Sequence, residues 1–277
     1  MKSIVSWGAK LGLVGSAIIG SFLIGNMQAL ALPQEQIVQK LGPVPVFTIT
    51  DANGAPLVAS APNTPNGQQN QGSLAGVFIT QRDAQAFVAQ LKTKNPELAK
   101  TVRVVPVSLG EVYKLDQENQ NKPNSLNIAY VPSQQQVDAA LTLLRQKGEK
   151  VEQFKGTPLF VARAGSEEKG YLTIKQADQQ VIPFFFNKEE LQNMLDRFKK
   201  QEPKLASTIE IQVVNLEGIL QTLQTGNDEQ LNQIMLVPPR ESIEFVRSLQ
   251  STPAQNQPAA TPSKAPQTTA PSPQPKR

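Results

Sequence analysis

Five glutamates are the residues whose type could do chemistry: Glu167-Glu168, Glu189-Glu190 and Glu217. Two such carboxylates, suitably placed, could act as general acid and general base. No familiar partner is available to them. The chain has no histidine and no cysteine, so it cannot assemble a Ser-His-Asp triad, a Cys-His pair or an ordinary zinc site. The glutamates also stand where carboxylates have other uses. Glu189-Glu190 and Glu217 follow helix starts, where free amides and the helix dipole favour negative charge, and Glu167-Glu168 fall in a polar loop. Asp51 and Asp228 suit turns. Gly165 to Gly170 lacks P-loop spacing and a following Lys-Ser/Thr, so it reads as a hairpin loop and not a phosphate cradle. The expectation is a chain that is not an enzyme and holds no cofactor or metal, with a hydrolase working by carboxylates alone as the enzymatic alternative.

Binding is the better use of this composition. The most apolar block is Val181-Ile182-Pro183-Phe184-Phe185-Phe186. In a strand, Phe184 and Phe186 face one way and Phe185 the other, so both sides need cover. Phe185 and Phe78 are assigned to the core. Phe184 and Phe186 are candidates for a groove, with Phe154, Met194 and Met235 as neighbours. Pro183 lacks an amide donor, which suits an edge or a bulge.

The same unit is written twice, about 107 residues apart. Val77-Phe78-Ile79-Thr80 is answered by Phe184-Phe185-Phe186-Asn187, Pro96-Glu97-Leu98-Ala99 by Pro203-Lys204-Leu205-Ala206, and Val44-Pro45-Val46-Phe47 by Thr157-Pro158-Leu159-Phe160. Duplication implies a pseudo-symmetric body with a shared core or a central seam, and hence a second groove near Phe87, Tyr113 and Tyr130. Thr80-x-x-Asp83 and Asn187-x-x-Glu190 cap long helices. Behind them Ala84, Phe87, Val88, Leu91 and Leu191, Met194, Leu195, Phe198 fall on one stripe facing a sheet. Pro96 and Pro203 stop these helices. Strands follow at Thr101 to Val107 and Thr208 to Val214, then short helices after Ser108 and Asn215, then strands at Asn127 to Val131 and Gln233 to Val237. Each copy closes with a helix, one capped by Ser133 and one starting at Pro239. Gln34 to Leu41 predicts one extra amphipathic helix. The fold class is α+β, a pseudo-two-fold duplication with a mixed sheet packed by long amphipathic helices.

The domain plan is a signal peptide at 1–31, a first half at 32–150, a second half at 151–250 and a disordered tail at 251–277. Lys2 and Lys10 precede an apolar run, Leu11 to Ile24, too short to span a bilayer, and Ala29-Leu30-Ala31 gives a small-x-small cleavage pattern. The tail is Pro-, Gln- and Ala-rich with no apolar period. Pro62 to Ser73 is a polar insertion. The flanks hold five of the 27 basic residues and no acids, leaving the body 22 basic against 23 acidic. Nucleic acid is therefore not an expected partner. With no cysteine the body relies on its core for stability.

These features resemble the twenty-two-kilodalton subunit of the translocon at the inner envelope of chloroplasts, in its cyanobacterial branch. The residues carrying the likeness are Val46 to Thr50, Phe78 through Phe87, Val105-Pro106-Val107-Ser108-Leu109-Gly110-Glu111-Val112-Tyr113, Gly156 to Phe160, Pro183 to Leu191 and Leu236-Val237-Pro238-Pro239. The resemblance implies a soluble protein of the periplasm or intermembrane space, peripheral to the membrane at most, although a thylakoid-lumen protein would carry the same kind of signal. It implies a chaperone-like role with client or precursor proteins, and an outer-membrane β-barrel insertase's periplasmic domains as partner. A scaffold that binds only the insertase is the alternative.

Overall fold

In the computed structural model the described residues are 10–12, 31–60, 73–120, 122, 125–165, 170–203, 207–226 and 228–251. Most of the leader, nearly all of the Pro62 to Ser73 insertion, Glu167-Glu168 and the tail beyond Ser251 lie outside them. The first half contributes α1 (Gln34–Leu41), β2 (Pro45–Thr50), β3 (Val58–Ser60), β4 (Ser73–Phe78), α2 (Gln81–Lys94), α3 (Pro96–Thr101), β5 (Arg103–Ser108), α4 (Leu109–Asn119), β6 (Leu126–Val131) and α5 (Gln134–Gln146). The second contributes β7 (Pro158–Ala164), β8 (Gly170–Tyr171), β9 (Thr173–Gln176), β10 (Gln179–Phe185), α6 (Lys188–Gln201), β11 (Glu210–Asn215), α7 (Leu216–Thr225), a 3-10 turn (Glu229–Gln233), β12 (Ile234–Val237) and α8 (Arg240–Ser251). A short β1 (Lys10–Gly12), within the segment read as a leader, pairs antiparallel with β9.

Two mixed sheets form, with matched register. Phe47 stands beside Phe78 and Pro106, and Phe78 beside Val131. In the other sheet Phe160 stands beside Phe185 and Val213, and Phe185 beside Val237. The β4–β6 and β10–β12 pairs are parallel and the others antiparallel. Pro183 lies on a central strand and not on an edge. Its missing amide falls where the neighbouring strand changes, after β9 pairs with Gln179 to Val181 and before β7 pairs with Phe185. Gly76 occupies the same break in the first sheet, between the β3 and β2 pairings.

Local chemistry starts the helices. The Thr80 hydroxyl accepts from the Asp83 amide (3.1 Å) and donates to its carboxylate (2.6 Å). Asn187 Oδ1 accepts from the Glu189 and Glu190 amides. Ser108 and Glu111 form a reciprocal capping box. Ser133 departs from expectation: its side chain makes no capping bond, and only its carbonyl receives the Gln136 and Val137 amides. Pro96 both ends α2 and opens α3, where a missing amide costs nothing.

The central core belongs to both halves. Ile37, Leu41, Val46, Val77, Ile79, Leu109 and Tyr113 pack in one cluster with Leu159, Val161, Ile182, Phe184, Phe186 and Leu216. Here α1 meets α4 so closely that a Cβ on Gly110 would collide with the carbonyl of Val38. Gly110→Ala would gain about 1 kcal/mol of helix propensity, but backbone cannot yield as a side chain can, and overpacking costs about 1–3 kcal/mol. We expect a lowered thermal midpoint; an unchanged one would show that α1 shifts freely.

The closing helices do not stay with their own copies. α5, from the first half, puts Ala140 into the outer cluster of the second sheet with Phe160, Leu172, Leu191 and Phe198. α8, from the second half, puts Phe245 against Phe47 of the first sheet, ring centroids 5.8 Å apart. Packing therefore crosses the expected division at 150/151 in both directions. Side-chain sizes are complementary in the exchanged arrangement. Large α6 residues (Leu191, Met194, Leu195, Phe198) meet small Ala139 and Ala140, whereas α2, with Ala84 and Val88, meets bulky Phe245.

Candidate functional site

The candidate carboxylates among the described residues are occupied by structure. Glu217 accepts twice from the Thr157 amide (3.2 and 3.0 Å). Glu189 accepts from Gln136 Nε2 (2.9 Å), whose Oε1 in turn accepts from the Lys188 amide (2.9 Å). Glu190 accepts from the Arg240 amide (2.9 Å), Asp51 from the Asn53 and Ala55 amides, and Asp228 from the Gln230 amide. Most of these bonds join elements, and those around Gln136 and Ser242 tie the exchanged helices down. The Ser242 hydroxyl donates to the Ile79 carbonyl (3.3 Å), and Lys40 Nζ crosses to the carbonyls of Asn232 (2.7 Å) and Ile234 (3.2 Å).

The starts of α2, α5, α6 and α8 converge on this seam, around a hollow of about 20 Å³ lined by Thr80, Gln136, Thr157, Phe186, Asn187 and Pro239. That is room for about one water, so the seam is a joint and not a ligand pocket. Burial raises the Glu190 carboxyl above its ordinary value of 4.5, against the pull of the Arg240 amide and charge. The folded state then holds this proton more tightly than the unfolded chain, so stability falls as pH rises from about 4.5 through the folded value. Glu190→Gln should flatten that part of the stability–pH curve, measured by denaturant unfolding. A curve of unchanged shape would assign the dependence elsewhere.

The predicted groove residues do not form one open groove: Phe184, Phe186, Tyr113 and Tyr130 share the central cluster, and Phe154, Met194 and Met235 the outer one. Phe184 and Phe186 are each 2% exposed, inside the central cluster with Tyr113. Tyr113 accepts a hydrogen bond from Gln224 Nε2 (3.0 Å) across the seam. Half-buried Tyr130 packs against the same cluster, and burial pushes its hydroxyl up, Asp116 and Glu217 adding to the effect. Phe154 and Met235 are half-buried and Met194 buried in the outer cluster of the second sheet. The alternation along β10 is as read, but its second face is covered by the other half. A lone repeat would have left Phe184 and Phe186 open; the duplication closes over them.

Phe87 alone among the candidates faces solvent, 42% exposed. Its ring lies 5.5 Å from that of Phe78, Phe78 is the strand neighbour of Phe47, and Phe47 meets Phe245. Four rings thus cross the outer face of the first sheet. One turn beyond Phe245 on α8, Leu249 is 49% exposed, and Val88 and Leu91 are half-buried on α2. The corresponding face of the second sheet is closed: Met194, the counterpart of Phe87, is 9% exposed. Phe245 and Leu249 were missed because α8 was assigned to its own copy. The signal was present as a size difference, Phe245 standing where the first copy has Ala139.

The family model described as Tic22-like matches residues 9–248. The chain belongs to the Tic22-like family. A solved structure titled Anabaena Tic22 (protein transport) is 39% identical, with a TM-score of 0.69 over 78% of this chain and 97% of that one. Tic22 from Plasmodium falciparum, at 22% identity and a TM-score of 0.56, shares the fold. The Arabidopsis thaliana protein named TIC 22-like, chloroplastic is 25% identical over 212 residues, 75% of this chain and 62% of that protein's length. The one named TIC 22, chloroplastic is 25% identical over 207 residues, 74% of this chain and 68% of its own. The α+β duplication is thus the Tic22 fold. Among the described residues of this Tic22-like chain, no helix is long and apolar enough to cross a membrane.

Proposed function

We propose that this Tic22-like protein is a chaperone-like component of protein transport, holding apolar segments of unfolded clients without nucleotide and passing them to a membrane assembly machine. The observation that carries this reading is the ladder from Phe245 to exposed Phe87 on the first half's outer face. An exposed aromatic beside half-buried aliphatics, on helices laid over a sheet, is a surface for apolar segments of varied sequence. The label "protein transport" on the Anabaena relative agrees with it. Export to a periplasm-like compartment follows from the leader pattern, and the periplasmic domains of an outer-membrane β-barrel insertase are the proposed receiving partner.

The test is suppression of aggregation of a denatured model client at stoichiometric ratios. Phe87→Ser should lose most of the suppression, while costing only about 1–2 kcal/mol of stability, because the ring is 42% exposed and its one ring contact is with Phe78. Full suppression by the stable variant would move the site off this face. No suppression by the unaltered protein would remove the chaperone reading and leave a scaffold that binds only the folded insertase.

A further inference from the structure

We propose that the outer edge of β11 is a strand-addition site for an extended segment of an unfolded polypeptide, an inference that rests on the client-binding reading above. The ladder geometry shows which groups are available. The Leu216 amide donates to the Thr157 carbonyl, so that pair is hydrogen-bonded, and with antiparallel register the bonded pairs continue at Val214, Gln212 and Glu210. The amides and carbonyls of Ile211 and Val213 therefore point away from β7. Among the described residues, no strand pairs with that side of β11.

The repeat supplies an internal comparison. The Leu109 amide donates to the Val44 carbonyl, so in β5 the residues pointing outward are Val104 and Pro106. Pro106 has no amide to offer, which is how edge strands are closed to addition. Its counterpart is Val213: each stands opposite the same phenylalanine of its repeat, Phe47 or Phe160. One edge is guarded and the other is not.

Space and chemistry beside the open edge fit a backbone and not a compact ligand. A cavity of about 190 Å³ lies between the end of α5 and β11, lined by Leu143, Leu144, Lys147, Glu149, Gln212 and Val213 among others. Outward groups two residues apart repeat at about 6.8 Å, a spacing that an extended chain matches with its own amides and carbonyls. Gln212 Oε1 is buried with no hydrogen-bond partner, so the incoming residue beside it would be one that donates, such as threonine or asparagine. Leu143 and Leu144 take an apolar neighbour, and Lys147 with Glu149 leave the rim without a preference for either charge.

The probe is a synthetic peptide of alternating valine and threonine with lysines at its ends, compared with the same peptide N-methylated at alternate amides. Binding to the full chain is titrated by fluorescence anisotropy, and hydrogen exchange is followed at the Ile211 and Val213 amides. We expect slowed exchange at both amides and affinity about tenfold weaker for the methylated peptide. Val213→Pro should weaken the plain peptide similarly, and Pro106 shows that the fold accepts proline there. Pro106→Val should add a second site. Equal binding of both peptides, or unprotected amides, would overturn the inference. So would protection that depends on protein concentration alone, since the occupant would then be a second copy. If Val213→Pro still suppresses client aggregation fully, only the edge site falls; if the unaltered protein never suppresses it, the client reading falls.

Discussion

Phe186→Ala is expected to cost about 3–5 kcal/mol and to destabilise both halves in one transition. The ring is 2% exposed in the central cluster, among Val77 and Ile79 of the first half and Leu236 of the second. Its amide donates to the Val237 carbonyl (3.2 Å), and Asn187 beside it caps α6. A cavity there opens in the central cluster, where the facing sides of both sheets meet, so neither sheet can relax around it alone. Denaturant unfolding followed by circular dichroism should show a single transition with a lower midpoint. Hydrogen exchange should quicken in β4 as well as β10. Phe185→Ala is the control, since that ring faces only the outer cluster of the second sheet. Two separate transitions, with β4 untouched, would show that the halves are independent domains.

Phe245→Ala carries the second large effect, and its location is the test. The ring is half-buried and lies 5.8 Å from Phe47. Losing its burial and the ring pair should cost about 2–4 kcal/mol. The site of the damage should be β2 and β4, over a hundred positions earlier in the chain and in the other repeat. Exchange in β7 and β10 should change less. Faster exchange confined to the second sheet would mean that α8 packs on its own copy, contrary to the exchanged arrangement. The client surface makes a linked demand: because Phe245 and Phe87 belong to one ladder of rings, Phe245→Ala should also weaken aggregation suppression.

Periodicity and capping chemistry determined most of the elements directly. Thr80, Ser108, Asn187 and Asn215 start helices through bonds to amides within three residues of themselves, and such bonds need nothing from the rest of the fold. The strand faces around Phe78 and Phe185 were equally legible, because alternation is a local property of extended backbone. Ser133 shows the limit. It has the right type and position for a cap, yet the start of its helix is held from outside, by Gln136 bridging to Lys188 and Glu189. Pro183 is similar: the missing amide was readable, but that it falls at a change of neighbouring strand depended on where β9 stops and β7 begins.

By itself, then, the sequence determined the duplication, the helix stripes, the strand faces and the lack of the usual catalytic groups, all of which rest on residue type and short-range spacing. Only the tertiary structure decided which faces stay open. Phe184 and Phe186 vanish into a seam because a second sheet covers them, while Phe87 stays in solvent and its counterpart Met194 is buried, although each sheet is packed by the closing helix of the other repeat. Burial depends on what arrives from far along the chain, and local spacing carries no record of that.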